Sequence, residues 1–194
     1  MTDRPAPAAS IRLAELRWTF AWNVRGDPSE PAFVADVRRL SGLALPLEPC
    51  TATRAAARSL LWLGPTSWLW IDGADGAAPD FEAARKQLNA VGGALFDVSV
   101  AHAGWLVSGA LAATVLNRGC PLDLRPHAFG GGRCAQNLLG HLPALVYRPN
   151  ERPAFVVMVP RSLASDAWHH LRGYAEAEGY AVDGATRFGA FESH

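Results

Sequence analysis

Residues 117–134 read NRGCPLDLRPHAFGGGRC, and the rest of the chain is organised by what this stretch is. It holds two cysteines, a histidine, two prolines and three consecutive glycines, so a metal site, a phosphate loop and a plain connection all compete for it. Cys120 and Cys134 have thirteen residues between them, and neither sits in the close Cys-x-x-Cys spacing that structural zinc demands. Gly130-Gly131-Gly132-Arg133 runs into CAQNLLG, which reads as a strand and has no Lys-Ser or Lys-Thr pair. A phosphate loop needs its glycines to enter a helix, where free N–H groups meet the anion. The stretch therefore reads as a connection from a helix to a strand, with glycines supplying backbone freedom.

That reading exposes a repeat. Pro46-Leu47-Glu48-Pro49 answers Pro121-Leu122-Asp123-Leu124-Arg125-Pro126. Before the first lie a strand at about 16–24 and a helix N-capped by Ser29, with Phe33, Val37 and Leu40 on one face and a stop at Gly42. After it, LALPLEPCTATRAA resists regular structure. SLLWL and SWLWI then form a hairpin around Gly64-Pro65, and a helix at about 80–91 carries Phe81, Ala84, Leu88 and Val91. In the second half ALFDVSVAHAGWLVSG gives one or two strands, and Ser108-Gly109 opens a short helix with Leu111 and Val115 inward. An added strand follows at 133–139, then a hairpin around PNERP and a helix over 162–177 bearing Leu163, Ala167, Leu171 and Tyr174. The fold class is α+β, in two similar strand-helix-hairpin-helix halves. The expected organisation is a loose segment over 1–12, one domain over 13–178 (halves of about 16–91 and 94–178) and a tail over 179–194 that docks or frays.

Formal net charge is zero over 194 residues, which removes a basic field for nucleic acid or anionic lipid. Charged residues are 19% against the ordinary ~25%, and there are seven tryptophans. That balance points to a chain that covers part of its surface with partners. Trp68, Trp70 and Trp168 are the aromatic candidates for an interface, although for each of them a core position is the stronger reading. No run reaches the ~20 apolar residues of a membrane span, the N-terminus lacks a signal-peptide core, and three widely spaced cysteines fit a reduced, cytoplasmic setting.

Individual residues carry little chemistry. His169 and His170 are neighbours on a helix and diverge by ~100°, so they do not chelate one ion, and His170 falls near the apolar face. Asp97 reads as a semi-buried carboxylate that serves either as a general base or, more simply, as a hydrogen-bond acceptor for a neighbouring loop. No nucleophile elbow, dinucleotide fingerprint or His-Glu-x-x-His is present.

Three segments, LFDVSVAHAGWLVSG (95–109), NRGCPLDLRPHAFGGGRCAQNLL (117–139) and FVVMVPRSLASDAWHHL (155–171), resemble the gamma subunits of heterotetrameric sarcosine oxidases, as do LPLEP and LGPTSWLWI. The resemblance covers about 17–178. Its most distinctive residues are Gly119, Cys120, Pro121, Leu122, Asp123 and Leu124, with Phe129, Gly132, Arg133 and Cys134, joined by Asp97 in the preceding segment. More widely, Phe96-Asp97-Val98-Ser99, Val107-Ser108-Gly109 and Gly132-Arg133 are similar to the folate-binding aminomethyltransferase fold of the glycine cleavage T-protein. In those enzymes a longer hairpin follows the strand and carries an acidic catalytic residue. Here no Asp or Glu occurs from Arg133 to Arg148, which implies that the scaffold persists without the chemistry.

The resemblance implies a non-catalytic subunit, with no catalytic, cofactor-binding or metal residues of its own, alongside alpha, beta and delta partners. The flavins FAD and FMN, NAD, tetrahydrofolate and zinc belong to those other subunits. Such a complex demethylates sarcosine to glycine, with hydrogen peroxide and either formaldehyde or 5,10-methylenetetrahydrofolate as products. Two alternatives stay open: the equivalent subunit of a complex acting on another N-methyl or secondary amine, and a stand-alone folate-binding aminomethyltransferase.

Overall fold

The computed structural model describes residues 10–191. The chain begins with strand β1 (Ile11–Arg17) and β2 (Phe20–Arg25), helix α1 (Pro31–Ser41), strands β3 (Ala52–Ala55), β4 (Arg58–Gly64) and β5 (Ser67–Asp72), and helix α2 (Phe81–Asn89). It continues with β6 (Ala94–Asp97), β7 (His102–Ser108), α3 (Ala112–Leu116), β8 (Arg133–Leu139), β9 (Leu142–Arg148), β10 (Ala154–Pro160), α4 (Ala164–Ala175), β11 (Tyr180–Val182) and β12 (Thr186–Arg187).

Two sheets result, with orders β3-β4-β5-β2-β6 and β8-β9-β10-β7-β1 followed by β11, while β12 also pairs with β1. Matching β3 to β8, β4 to β9, β5 to β10 and β2 to β7 superimposes the two orders and every antiparallel pairing among them. The halves are thus alike, but each sheet's last position is filled across the repeat: β6 closes one sheet, while β1, from the start of the chain, closes the other. The strand at 133–139 is not an addition, because β3 is its counterpart inside the connection expected to be irregular.

The sheets stack face to face and the helices cover their outer faces, giving four layers. Leu61, Leu69, Ile71, Leu106, Tyr147, Val156 and Met158 fill the space between sheets. Phe33, Val37, Ala84 and Leu88 press α1 and α2 onto Trp22, Trp68 and Trp70. On the other side Val115, Ala167 and Leu171 press α3 and α4 onto Val107, Val146 and Val157. Because β5 is covered on both faces, its alternation of Trp with Leu and Ile is buried throughout. Trp68 and Trp70, offered above as interface candidates, are therefore core, at 0% and 1% exposure. Trp168 is half-buried and stacks on Trp105.

Several expectations move. The single strand at 16–24 is two strands in different sheets, broken where the chain crosses at Trp18-Thr19. The 94–109 stretch is likewise β6 and β7 in different sheets. The two crossings are tied together by the Trp18 Nε1 donating to the Ser99 carbonyl at 2.9 Å. Glu30, not Ser29, occupies the N-cap of α1, and the Ser29 hydroxyl donates to Asp27 instead. Ile11 and Arg12 lie inside β1, with Ile11 fully buried, so a loose segment running to residue 12 is overturned from residue 11 onward. Residues 1–9 lie outside the described residues. The segment after 179 docks: β11 and β12 pair parallel with β1, and Phe188 and Phe191 are buried between the sheets.

Between the sheets the Tyr147 hydroxyl meets Ser59 Oγ at 3.2 Å, and burial pushes the phenol up to about 12. Burial likewise pushes the Cys134 thiol to about 12. Both groups stay neutral in the folded chain at pH values where the unfolded chain ionises. Their contribution is complete below the ordinary thiol and phenol values and is lost as pH rises through 9 to 12. Urea midpoints should therefore fall steeply across that window. The fall should be shallower in Tyr147→Phe, and an unchanged slope would refute the assignment.

Candidate functional site

The 117–134 stretch joins α3 to β8 and lies against the outer face of the β7–β10 sheet. Cys120, Leu124 and Phe129 plug it into that face, at 2%, 0% and 6% exposure. Asn117 organises its first turn: the side-chain amide donates to the carbonyls of Cys120 and Leu122, and its oxygen accepts from the Leu124 N–H. Gly119 is needed for space, because a Cβ there would lie 2.3 Å from the Tyr174 ring. Pro121 is exposed and Leu122 half-buried. Asp123 accepts from the Arg125 backbone and takes both ends of its guanidinium, which holds the carboxyl down at about 2. These groups face water, so the pair shapes its own turn and contributes little to the fold.

The glycines lead into β8, not into a helix. A Cβ on Gly131 would sit 2.7 Å from the Asn150 carbonyl carbon, so two backbones approach where only glycine permits. Gly132, with φ +79°, donates to the Arg148 carbonyl at 2.7 Å and accepts from the Ala52 N–H at 2.8 Å. Next to it Thr51 and Arg133 form a bridge, Cys134 N–H donates to the Cys50 carbonyl at 3.0 Å, and Arg133 pairs with Glu48 at 2.9 Å. Gly132, Arg133 and Cys134 thus stitch the β8 edge to the β3 edge, and the proline-flanked connections of the two halves meet there. The Cys134 thiol donates to the Thr51 carbonyl at 3.2 Å, and burial raises both it and Cys120. Neutral thiols engaged in this way are poor nucleophiles at neutral pH. Among the described residues no group of three His, Cys, Asp or Glu side chains is placed to hold a metal ion.

Asp97 stands apart from this cluster. It is exposed, not semi-buried, and accepts from the backbone N–H and hydroxyl of Ser99. Both of its acceptor bonds go to its own turn, leaving nothing arranged for proton transfer. His170 touches Tyr174 Oη at 3.3 Å through Nδ1 and packs edge-on to His141, a neighbour that linear spacing does not reveal.

Sequence reasoning missed a cleft at the β2–β6 end of the sheets. It holds about 370 Å³ and is lined by Leu63, Leu69, Val98 and Leu145 with Asn23, Arg25, Phe96, His102 and Gln136. The register explains it: Asn23 lies opposite both Leu69 and Phe96, and Arg25 opposite Ser67 and Ala94, so Asn23, Arg25 and Phe96 point to the inter-sheet face beyond the place where the second sheet covers Ala21. Gln136 Nε2 closes one wall by donating to the Leu63 carbonyl at 2.7 Å. His102 Nδ1 is buried without a hydrogen-bond partner among the described residues. Burial lowers the imidazole's affinity for a proton and Arg161 lowers it further, against a partial offset from the Val98 backbone.

Comparison with known proteins gives a consistent set of relatives. The model of the family "Sarcosine oxidase, gamma subunit family" matches residues 25–178. "Sarcosine oxidase subunit gamma" of Arthrobacter sp is 32% identical over 152 residues, covering 77% of this chain and 73% of that protein. The protein of the same description from Corynebacterium sp. (strain P-1) is 30% identical over 154 residues, covering 77% and 73%. Among solved structures, a chain of the heterotetrameric sarcosine oxidase from Corynebacterium sp. U-96 has a similar fold, with TM-score 0.80 at 24% identity over 89% of this chain and 87% of that one. The glycine cleavage aminomethyltransferase T of Bartonella henselae shares the fold at TM-score 0.63 and 14% identity, with 91% of this chain matching 48% of the enzyme.

Proposed function

This chain belongs to the sarcosine oxidase gamma subunit family, and from that membership we propose that it is the non-catalytic gamma subunit of a heterotetrameric sarcosine oxidase. The complex demethylates sarcosine oxidatively to glycine. The alpha, beta and delta subunits are the partners, and they carry FAD, FMN, NAD, tetrahydrofolate and zinc. The observation behind the non-catalytic role is the β8–β9 hairpin. It turns at Gly140-His141 and offers no carboxylate from Arg133 to Arg148, the place where the resemblance to the aminomethyltransferases implies an acid. Without a positioned acid or base, an amine bound there has no proton acceptor. The motif residues Gly119 to Cys134 serve the fold, since their side chains and backbone are committed to one another. No helix among the described residues is long and apolar enough to cross a membrane, and the free thiols Cys50, Cys120 and Cys134 suit a reducing cytoplasm.

The decisive experiment is co-expression with the three other subunits and one affinity tag on this chain, followed by gel filtration. A single species containing all four chains, whose flavin is bleached by sarcosine, is the expected result. A chain that remains alone while the other three assemble would refute the role. A complex bleached only by another N-methyl or secondary amine would keep the role and change the substrate.

A further inference from the structure

The two similar halves end differently, and the difference leaves one sheet edge open. In the β7–β10 sheet the terminal strand β1 is covered on its outer side by β11 and β12. Its equivalent, β6, is the last strand of the other sheet and has no further strand beside it among the described residues. The cleft lies on the inner face of this open edge. Phe96 on β6 is 51% exposed and lines the cleft, and Val100, in the turn that follows, is 83% exposed. Large apolar side chains left in water beside an unpaired edge are features that folded chains ordinarily suppress.

Charge gives the site a sign. Arg25 projects from the same face as Phe96 and has no hydrogen-bond or ion-pair partner among the described residues. Arg161 lies close enough to act electrostatically on His102, and the half-buried imidazole is held toward its neutral form. No Asp or Glu lines the cleft, and Asp97, next to Phe96 in sequence, sits opposite Trp22 in the register, hence on the helix-covered face, where it is already engaged by Ser99. The cleft is therefore apolar at its floor, cationic at its rim and lacking any acid of its own.

We propose that this cleft and the open β6 edge seat an extended segment of a partner subunit that places an apolar side chain against Phe96 and Leu69 and a carboxylate beside Arg25. The inference rests on the subunit role argued above. A strand edge recognises an extended backbone, and alternate side chains of such a segment reach one face, where the cleft receives them. A small free ligand would leave Val100 and the outer side of Phe96 in water, whereas a chain lying along β6 covers both.

The test uses the co-expressed four-subunit complex. With p-benzoylphenylalanine in place of Phe96, irradiation should link this chain to one partner subunit, through a peptide containing Asp or Glu. A link within the chain, or between two copies of it, overturns the proposal. In parallel, Arg25→Glu and Phe96→Asp should each lower recovery of the partners on the tagged chain about tenfold or more, as loss of an interface anchor does. The purified variants should keep the wild-type melting temperature, because both sites are at the surface. Val182→Asp, a charge placed on another exposed apolar residue, should leave recovery unchanged; equal losses there would mean that the cleft is not specific. Wild-type assembly with undiminished assembly of both cleft variants sinks this proposal alone. Failure of the wild type to assemble sinks the subunit role and the cleft with it.

Discussion

Ending the chain after Gly179 should abolish the fold, and Phe191→Ala alone should lower the melting temperature by roughly 10 °C. The segment is short, yet its contacts are central. Phe188 and Phe191 are 1% and 0% exposed in the layer between the sheets, and their rings meet edge-to-face at 5.1 Å. The backbone is tied as well: Asp183 N–H donates to the Leu13 carbonyl at 2.9 Å and Phe188 N–H to that of Arg17 at 2.8 Å. Arg12 grips the Asp183 carboxylate with two nitrogens. Emptying one buried Phe site costs about 3–5 kcal/mol, and truncation empties two while also stripping β1 of its outer partners. Against a total stability of ~5–15 kcal/mol, that loss leaves no folded majority. Circular dichroism and gel filtration of the truncated chain decide it. A cooperative melt within about 5 °C of the full chain would show that the segment only decorates the sheet.

This segment also marks where the sequence stops being legible. Helices with a clear 3.6 period, such as Phe81, Ala84 and Leu88, and hairpins with a plain turn, such as Gly64-Pro65, were readable because their signals are local. The similarity of the halves was readable from the paired proline connections. The crossings between sheets were not, since a strand that ends in one sheet and a strand that begins in the next give one unbroken stretch rich in aromatic and β-branched residues at 16–24, with no Gly or Pro to mark the break. Nor was β1's completion of the second sheet, which pairs residue 12 with residue 108. Aromatic content by itself misled at Trp68 and Trp70: coverage of both sheet faces, a consequence of four layers, puts them in the core. The cleft was hidden for the same reason. Asn23 and Arg25 lie on the inter-sheet face in strict alternation with buried Trp22 and Val24, yet they line the cleft instead of a packed layer.

Arg148 is the residue that the motif around it does not announce, and its loss should be as damaging as that of a core aromatic. It ends β9 at 2% exposure. Its guanidinium donates to the carbonyls of Phe129 at 2.8 Å and Glu151 at 2.7 Å, reaches that of Arg152 at 3.4 Å, and lies over the Phe155 ring. The carbonyls belong to the two loops that pass beside each other at Gly131 and Asn150, so one side chain holds both. The pairing of this cation with Glu151, at 3.7 Å and with that carboxylate largely in water, adds little by comparison. Each hydrogen bond to the charged group is worth about 1.5–3 kcal/mol, and removing the donor leaves buried acceptors unpaired. Relief of the desolvation of the cation offsets part of that. Arg148→Ala should therefore lose on the order of 3 kcal/mol in urea unfolding, and Arg148→Met, which restores volume without donors, should recover only a minor share. Amide exchange at Gly132 should accelerate in both, because its N–H donates to the Arg148 carbonyl and the loop that presents it is no longer pinned. If Arg148→Met matched the wild type in stability and in exchange at Gly132, packing rather than hydrogen bonding would be what this arginine supplies. The stitch between β8 and β3 would then stand on its own backbone bonds and the Glu48–Arg133 pair, without help from Arg148.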